Sequence, residues 1–480
     1  MIAIRYTITC IIFSTLIFYT GCSEAKADVP AIISTDANDR NTISVTVYNQ
    51  NLGLIKESRS IDLGLGNGQL EFLDVASSID PVTVQVNASG KQGTFTILEQ
   101  NYEYDLISRS KLLDKYIGQQ VWISNPRDFQ DRVDTVEAIL LSNQDGEIYQ
   151  IGDKIHLGHP GHVVLPELPQ NLHSKPTLIW HYQNEGESKR ELEVSYLTQG
   201  MSWKSDYVLT LGASDQTGDI LGWVSLNNRS GATYTNAKLK LVAGDVNRVQ
   251  SQSKQRTHDR RVMMSAMSSE QFSEKEFFEY HIYDLGRQTT LKDNQTKQIQ
   301  LLQAADISIN KHFVATTNQP YLYNSRQNAK QKIPVKVNLI IQNSAKNNLG
   351  SPLPQGIVRV YKEDSEGSIQ FVGEDSINHT PKNEELELTI GEAFDLVINR
   401  IQVDHKKLTN QLSQSTWEIT LKNHKSEAAL IQINEQMPIN WKILESTHSY
   451  RKTNAAQLQF NINVNPEEEV VIRYQVQAGL

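Results

Sequence analysis

Residues 196–249 read YLTQGMSWKSDYVLTLGASDQTGDILGWVSLNNRSGATYTNAKLKLVAGDVNRV and form the longest stretch in which apolar alternation and turn residues agree. Trp203, Tyr207 and Leu209 fall on one face of an extended segment, whereas Lys204 falls on the other. Alternation with a period of two is typical of a β-strand that is buried on one face. The stretch therefore predicts successive strands of one β-sandwich.

The same alternation extends from this stretch in both directions, at intervals of about 8–12 residues, which is typical of sandwiches and barrels. Alternating apolar runs occur at residues 43–48, 82–86, 335–341, 417–421, 429–433 and 472–476. One helical period is predicted near residues 108–117, where Ser108 or Ser110 caps an apolar stripe and Gly118 ends it. We therefore expect an all-β fold with several β-sandwich or immunoglobulin-like domains, a small SH3-like barrel and one short helix.

Changes in composition and turn density divide the chain into six predicted segments. They are a signal segment over 1–27, an N-terminal β-sandwich over 35–105, the helix and small barrel over 106–172, a central β-sandwich over 173–345, an inserted β-rich subdomain over 346–404 and a C-terminal immunoglobulin-like domain over 405–480. The central sandwich contains a polar insertion over 250–275 without a sustained apolar period, which we expect to be disordered or loosely helical.

Three dipeptides predict the positions of β-hairpins. Asn67-Gly68, Asp145-Gly146 and Glu366-Gly367 each separate two alternating runs. Asn-Gly is the strongest of these signals, because both central residues of a type I′ turn need a positive φ. A strand is also predicted over 147–157, directly after the second dipeptide.

The first residues predict a targeting segment. A mostly apolar, uncharged run follows Arg5, and residues 19–22 (YTGC) are similar to a bacterial lipobox in which Cys22 is lipidated. Residues 25–27 (AKA) offer an ordinary cleavage site instead, and an uncleaved anchor is the third alternative. We expect a location in the cell envelope, in the periplasm or at the outer membrane, with a membrane tether through lipid on Cys22.

Composition argues against several kinds of partner and site. The formal net charge is −9 without a basic cluster, which argues against nucleic acid as a partner. Both cysteines, Cys10 and Cys22, belong to the N-terminal segment, so the remainder of this sequence has none for a disulfide or a cysteine-ligated zinc site. We expect no cofactor.

Several long motifs resemble one known family. They are YLTQGMSWKSDYVL, GWVSLNNRSGATYTNAKLKLVAGDVNRV, EYHIYDLGRQTTLKDNQTKQIQLL, TWEITLKNHKSEAALIQINEQMPINWKI and, nearer the N-terminus, NYEYDLISRSKLLDKYIG. With these motifs the chain closely resembles the bacterial DUF4139 family over nearly the whole mature sequence. The resemblance implies a β-rich envelope protein whose central DUF4139 sandwich spans 173–345. It implies no catalytic residue, because the family is a domain of unknown function.

Candidate residues for chemistry fall in one loop and two acidic clusters. The sequence HLGHPGH places His156, His159 and His162 three residues apart, as candidate ligands of zinc or copper, although the glycines and proline favour an ordinary surface loop. Acidic clusters at 384–387 and 467–469 could serve glycosidase chemistry, but their positions beside turns favour a solvated rim. The sequence contains no nucleophile elbow, P-loop or HExxH motif.

Apolar residues supply the candidates for binding. An adaptable partner-binding segment would contain Met263, Met264, Met267, Phe277 and Phe278, whereas the alternative is an ordinary disordered insertion.

Tryptophans are candidates for stacking on sugar rings. Trp203, Trp223 and Trp417 lie in alternating strands, where core packing is expected. Trp441 follows Pro438 in a less regular segment and is predicted to be the exposed one.

From these observations we expect a non-enzymatic binding or scaffolding protein of the cell envelope, whose partner is an unknown envelope protein or a glycan. Sheet edges and the polar insertion would provide its contacts, by strand addition or by ordering on binding. The alternative is an envelope hydrolase that acts on a glycan or a peptide, with or without a metal. A deep pocket lined by convergent carboxylates, or by the three loop histidines, would favour that alternative.

Overall fold

The computed structural model describes residues 31–89, 94–103, 107–124, 135–158, 161–167, 169, 175–244, 272–278, 280–317, 330–438 and 440–479. In these residues strands dominate, which confirms the predicted all-β class. The predicted helix is present as α1 (Arg109–Lys115), and the backbone N–H of Lys111 donates to the hydroxyl of its cap, Ser108, at 3.3 Å. Single 3-10 turns occur at Ala37–Asp39, Pro81–Thr83 and Ala345–Asn347. No helix within the described ranges has the length and hydrophobicity to cross a bilayer.

The strands are numbered in chain order. The first eleven are β1 (Ala31–Thr35), β2 (Arg40–Tyr48), β3 (Leu52–Asp62), β4 (Gly66–Leu73), β5 (Gln85–Ser89), β6 (Phe95–Glu103), β7 (Gln120–Ser124), β8 (Thr135–Ser142), β9 (Ile148–Ile151), β10 (Lys154–Leu157) and β11 (His162–Val164). The next nine are β12 (Thr177–Asn184), β13 (Lys189–Thr198), β14 (Met201–Leu211), β15 (Thr217–Asn228), β16 (Tyr234–Ala243), β17 (Phe272–Phe277), β18 (Tyr280–Leu291), β19 (Gln295–Ser308) and β20 (Asn310–Thr316). The last twelve are β21 (Gln331–Ile333), β22 (Val335–Gln342), β23 (Gly356–Glu363), β24 (Ile369–Ile377), β25 (Glu385–Glu392), β26 (Leu396–Lys407), β27 (Leu412–Asn423), β28 (Ala429–Gln436), β29 (Trp441–Ser446), β30 (Arg451–Asn454), β31 (Gln457–Val464) and β32 (Glu469–Gly479).

Four sheets contribute to the larger core, which we call the first core. One of them is the six-stranded sheet that contains β22 and β25, which supplies Leu339, Ile341, Leu386 and Leu388. The seven-stranded sheet has the order β17-β18-β16-β2-β3-β13-β5. Its apolar face packs against the four-stranded sheet β1-β4-β12-β6 and the central five-stranded sheet β19-β15-β14-β23-β24. Phe72 of the four-stranded sheet stacks on Arg59 of β3, and Trp203 of the central sheet packs on Tyr283 of β18 with ring centroids 6.3 Å apart.

Strand pairing crosses the predicted boundaries between 35–105, 173–345 and 346–404. β2 pairs in parallel with β16, with Ser44 opposite Lys238, and β3 pairs antiparallel with β13. β23, from the third of these segments, pairs in parallel with β14. Strands from all three segments therefore contribute to one core.

The C-terminal sandwich has two sheets and a second core. The six-stranded sheet has the order β25-β22-β20-β28-β31-β30, and the C-terminal five-stranded sheet has the order β21-β26-β27-β32-β29. This second core contains residues from Ala315 to Ala478, so it begins well before the predicted boundary at 405. The backbone N–H of Thr389 in β25 donates to the Asp375 carboxylate in β24 at 2.7 Å, which joins the six-stranded sheet to the central sheet.

A third, small core lies beneath α1. Its sheet has the order β10-β9-β8-β7-β11, and its buried side chains are Leu113, Tyr116, Val121, Ile123, Ala138, Leu140 and Tyr149. Among the described residues the edge strands β10 and β11 do not pair, so the sheet is open rather than closed into the predicted barrel. The predicted strand over 147–157 is a hairpin, because the chain turns at Gly152 with φ +57.

The predicted hairpin at Asn67-Gly68 is wrong, because both residues lie inside β4. The turn comes earlier, at Gly64 and Gly66, whose φ values are +68 and +86. Gly68 has another role: a Cβ there would collide with the phenol of Tyr182 on β12. The other two turns lie where the dipeptides predict them, between β8 and β9 and between β23 and β24.

Buried asparagines fix strand ends in both large cores. Asn228 at the end of β15 donates to the carbonyl of Ala232 at 2.9 Å, and Asn423 at the end of β27 donates to the carbonyl of Glu427 at 2.8 Å. Each amide also donates to two consecutive carbonyls at the end of another strand. These bonds satisfy backbone groups where the ladders stop.

Candidate functional site

A cleft of about 750 Å³ opens where the four-stranded and seven-stranded sheets meet. Its charged lining residues are Arg40 at the start of β2, Asp74 after β4, Lys175 before β12 and Lys238 on β16. Asn38, Asn41, Thr42, Thr233, Thr235, Asn236 and Gln288 supply amide and hydroxyl groups between them. We call this feature the basic cleft.

The guanidinium group of Arg40 is fixed by two groups of the protein, Glu57 and the carbonyl of Asp74. Its Nε forms an ion pair with the Glu57 carboxylate, and its Nη2 donates to the carbonyl of Asp74 at 3.0 Å. The side chain is 9% exposed, and Nη1 has no acceptor among the described residues. An arginine with two fixed nitrogens and one available nitrogen is a pre-organised donor for an anion.

The carboxylate behind Arg40 belongs to a buried ion pair. Arg59 Nη2 lies 3.0 Å from Glu57 Oε1 and also donates to the carbonyl of Leu73 at 2.9 Å. The guanidinium carbon lies 3.5 Å from the Phe72 ring centroid. Burial lowers the pKa of Arg59, while Glu57 opposes that shift. The pair supports Arg40 without itself lining the cleft.

Asp74 is the one carboxylate among the described lining residues. Lys175 Nζ lies 2.6 Å from its Oδ1, and the backbone N–H of Ala37 donates to its Oδ2 at 3.1 Å. Burial raises the pKa of Asp74, but the bonds from Lys175 and Ala37 outweigh burial and hold the pKa below its usual value. Asp74 is therefore ionised at neutral pH and neutralises part of the Lys175 charge.

Lys238 completes the charge of the cleft. It is exposed and has no carboxylate within ion-pair distance among the described residues. Arg40 and Arg59 share the Glu57 carboxylate, and Lys175 is paired with Asp74, so these residues and Lys238 together have two positive charges in excess. The cleft therefore attracts anions, and its amides and hydroxyls can bond to a ligand rich in hydroxyl groups.

The structure does not bring the described loop histidines together. His156 lies on β10 and His162 on β11, at opposite edges of the small sheet with three strands between them. His159 lies outside the described residues. Within the described ranges no group of three or more His, Cys, Asp or Glu side chains is arranged to hold a metal.

The predicted lipidation and partner-binding residues are mostly outside the described ranges. This applies to Cys22, Met263, Met264 and Met267, and to the side chain of Phe277. Phe278 is described: it is 84% exposed, and its ring centroid lies 6.0 Å from that of Tyr280. Residues 272–275, the end of the predicted disordered insertion, belong to β17, which pairs with β18.

The acidic clusters lie on the surface. Glu384, Glu385 and Glu387 are exposed, as are Glu467 and Glu469. None of them lines the basic cleft.

The prediction that Trp441 is exposed is wrong. Its side chain is 9% exposed, its Nε1 donates to the carbonyl of Ala455 at 2.8 Å, and Lys452 Nζ lies 4.6 Å from the ring centroid. Trp203 and Trp417 are buried as expected, and Trp223 is half-buried.

Sequence reasoning missed every charged residue of the basic cleft. One signal was available in β3, where Glu57 and Arg59 share a strand face with Ile55 and Ile61. Charged residues in the apolar register of a strand indicate a buried pair. No comparable pattern marks Lys175, which precedes its strand.

The chain matches one protein family, described as Domain of unknown function (DUF4139), over residues 192–479. The chain belongs to the DUF4139 family. The matched DUF4139 region begins within β13 and supplies Lys238 to the basic cleft, whereas Arg40, Asp74 and Lys175 precede it. The cleft is thus built jointly by the DUF4139 region and the strands before it. No curated protein matches the chain.

Proposed function

We propose that this DUF4139 protein is a non-enzymatic binding protein of the cell envelope and that the basic cleft takes an anionic, hydroxyl-rich ligand, such as an acidic glycan. The supporting observation is the lining of the cleft. Three cations oppose one carboxylate, and amides and hydroxyls lie between them. Cations recognise the carboxylates of an acidic glycan, and the neutral polar groups recognise its hydroxyls.

The fixed position of Arg40 supports specific binding of an anionic ligand rather than a transient attraction to the surface. Glu57 and the Asp74 carbonyl already orient its guanidinium group, so a ligand does not have to order a free arginine side chain. Lys238 and Lys175 are more exposed and would adjust to the ligand.

The cleft does not favour the hydrolase alternative. Glycoside hydrolysis commonly uses two carboxyl groups, one on each side of the scissile bond. Here Asp74 is already paired with Lys175, and the other described lining residues supply no second carboxylate.

The binding test is calorimetric titration of the purified chain with a short oligouronate and with its neutral counterpart. We expect the oligouronate to bind more tightly, and Lys238→Glu to weaken binding at least about tenfold, because a repulsive charge replaces an attractive one. Lys442→Glu, a change at an exposed lysine in β29, is the matched control and should leave binding unchanged. Equal binding by the wild type and Lys238→Glu would contradict the proposal, and cleavage of the oligouronate would contradict its non-enzymatic part.

The envelope part of the proposal depends on the N-terminal sequence. Metabolic labelling with palmitate should mark the wild type and not Cys22→Ala. If both proteins are labelled and sediment with membranes equally, the lipid tether on Cys22 is wrong.

A further inference from the structure

We propose a second binding site, independent of the basic cleft, for an acidic peptide segment of a partner protein that carries one large apolar side chain. The site is a cavity of about 190 Å³ where the central sheet meets the six-stranded sheet. We call it the lysine notch, and define it by Asp215, Lys311, Phe313, Lys362, Phe394 and Lys425.

The interior of the notch is apolar. Leu211 comes from the central sheet, and Leu339 and Ile390 come from the six-stranded sheet. At the rim, Phe394 is 93% exposed and Val372 is 39% exposed. An almost fully exposed phenylalanine beside an apolar cavity is typical of a contact surface for a partner.

Lysines surround this apolar interior. Lys311 Nζ lies 2.8 Å from Asp215 Oδ2, and Lys362 forms an ion pair with the other oxygen of the same carboxylate. Burial raises the pKa of Asp215, but the bonds from the two lysines outweigh burial and lower the pKa. One carboxylate is thus shared by two ammonium groups. Lys425 and the exposed Asp395 also line the notch, so its lining has three lysines and two carboxylates, an excess of one positive charge.

A third lysine places that charge beside the aromatic ring. The Nζ atoms of Lys311 and Lys425 lie 5.5 and 5.6 Å from the ring centroid of Phe313. Their side chains are 27% and 23% exposed, so both remain accessible from solvent. Lys425 also pairs with Glu427 at 3.2 Å, but Glu427 is 68% exposed and its attraction is weakened by water.

The volume and the charge together select the occupant. About 190 Å³ is below the ~300–1,000 Å³ that is usual for a small-molecule pocket, so the cavity fits one side chain rather than a whole ligand. Lysines at the rim favour carboxylates beside that side chain. An acidic peptide segment with one leucine or phenylalanine satisfies both requirements.

The test is fluorescence anisotropy with three labelled nine-residue peptides. In the acidic leucine peptide, aspartates and glutamates flank a central leucine. The second peptide has serine in place of that leucine, and the third has lysines in place of the acidic residues. We expect the acidic leucine peptide to bind and both relatives to bind at least about tenfold more weakly, because each lacks one of the two contacts. Phe394→Ser and Lys425→Glu should each weaken binding of the acidic leucine peptide by a similar factor. Phe394→Ser changes an exposed residue, so it keeps the test valid if Lys425→Glu unfolds, and thermal unfolding is measured for both.

The controls distinguish this site from the basic cleft. Lys442→Glu and Lys238→Glu should leave peptide binding unchanged, whatever the outcome of the oligouronate titration. Equal binding of the serine peptide, or loss of binding in Lys238→Glu, would overturn the proposal. Binding to phosphatidylglycerol vesicles that depends on Phe394, without peptide binding, would also overturn it and would indicate a membrane surface instead.

Discussion

The two large cores each contain a buried arginine–glutamate pair stacked on an aromatic ring. In the first core Arg59 Nη2 lies 3.0 Å from Glu57, and in the second Arg400 Nη2 lies 2.8 Å from Glu435. Each guanidinium carbon lies 3.5 Å from a ring centroid. All four charged side chains are at most 2% exposed.

The pairs differ in what else contacts the glutamate. Glu57 also pairs with Arg40, whose side chain lines the basic cleft. Glu435 instead accepts a hydrogen bond from the buried hydroxyl of Tyr474 at 2.9 Å. The same buried arrangement therefore holds a residue of the basic cleft in one core and a buried tyrosine hydroxyl in the other, so a buried ion pair does not by itself indicate function. The two cores differ in that a second arginine, Arg40, pairs with the buried glutamate in the first core.

The largest difference between the cores should follow removal of each glutamate. Glu435→Leu leaves one buried guanidinium without a counterion, and we expect it to lower the free energy of unfolding by about 3–5 kcal/mol. Glu57→Leu leaves two, Arg59 and Arg40, and should cost more. Urea denaturation of both variants measures the comparison.

A matched surface change calibrates this result. Glu193 is 37% exposed and pairs with Lys56 on the seven-stranded sheet. Glu193→Leu should cost no more than about 1 kcal/mol. If Glu57→Leu lowers the free energy of unfolding no more than Glu435→Leu does, water solvates Arg40 in the variant. The ion pair between Arg40 and Glu57 would then not distinguish the stability of the two cores.

The asparagines that fix strand ends should give the next largest effect. Asn228→Ala and Asn423→Ala each remove three hydrogen bonds to backbone carbonyls, and we expect each to cost about 3 kcal/mol. Asn228 also fixes the loop at Ala232, which lines the basic cleft. Asn228→Ala should therefore weaken oligouronate binding, measured by calorimetry, whereas Asn423→Ala should not. Equal weakening by both would mean that the loss of binding comes from general destabilisation.

Alternation predicts most of the strands because side-chain direction in a strand follows sequence directly. It does not predict their partners. Ser44 lies opposite Lys238 in a parallel pair, and no local signal joins residues so distant in sequence. Domain boundaries drawn from composition therefore cut across the sheets.

The basic cleft was not predictable for the same reason. Arg40, Asp74 and Lys175 lie at or beside strand ends and Lys238 lies within β16, and these strands meet only in the folded chain, so the four charges look like ordinary surface charges in the sequence. Glu57 and Arg59 are different, because their spacing from Ile55 and Ile61 already places them on the buried face. Gly68 was also misread from the sequence, which suggests a turn. Glycine is needed there because a Cβ would collide with the Tyr182 phenol.

The pH dependence of stability tests the Asp74 ion pair. The pKa of Asp74 is lowered in the folded chain, so its stabilising effect is present above the ordinary value of 3.8 and is lost as the pH falls through the lowered folded value. Asp74→Asn should therefore cost on the order of 1 kcal/mol at pH 7 and progressively less towards pH 3. Urea denaturation at pH 7, 5 and 3 measures this difference. Lys175→Gln should also reduce the loss of stability between pH 7 and pH 3, because it removes the partner of Asp74. A cost of Asp74→Asn that is the same at every pH would contradict the ion pair.

A small effect is also expected when a whole buried polar cluster is replaced in the second core. Arg400→Met, Glu435→Leu and Tyr474→Phe together leave no charge or hydroxyl of that cluster unpaired, so the free energy of unfolding should change by no more than about 1–2 kcal/mol. Replacing only the pair in the first core, Glu57→Leu with Arg59→Met, leaves Arg40 without its carboxylate.

That double variant should therefore remain destabilised by about 3 kcal/mol or more, and it should also bind oligouronate more weakly. Urea denaturation and calorimetry on the two sets of variants measure both effects. The loss of binding follows because Arg40 would no longer be held towards the cleft by Glu57. Recovery of stability in both cores, with binding intact, would show that Arg40 acts independently of the buried pair, and the difference between the two cores would then lie in the cleft surface alone.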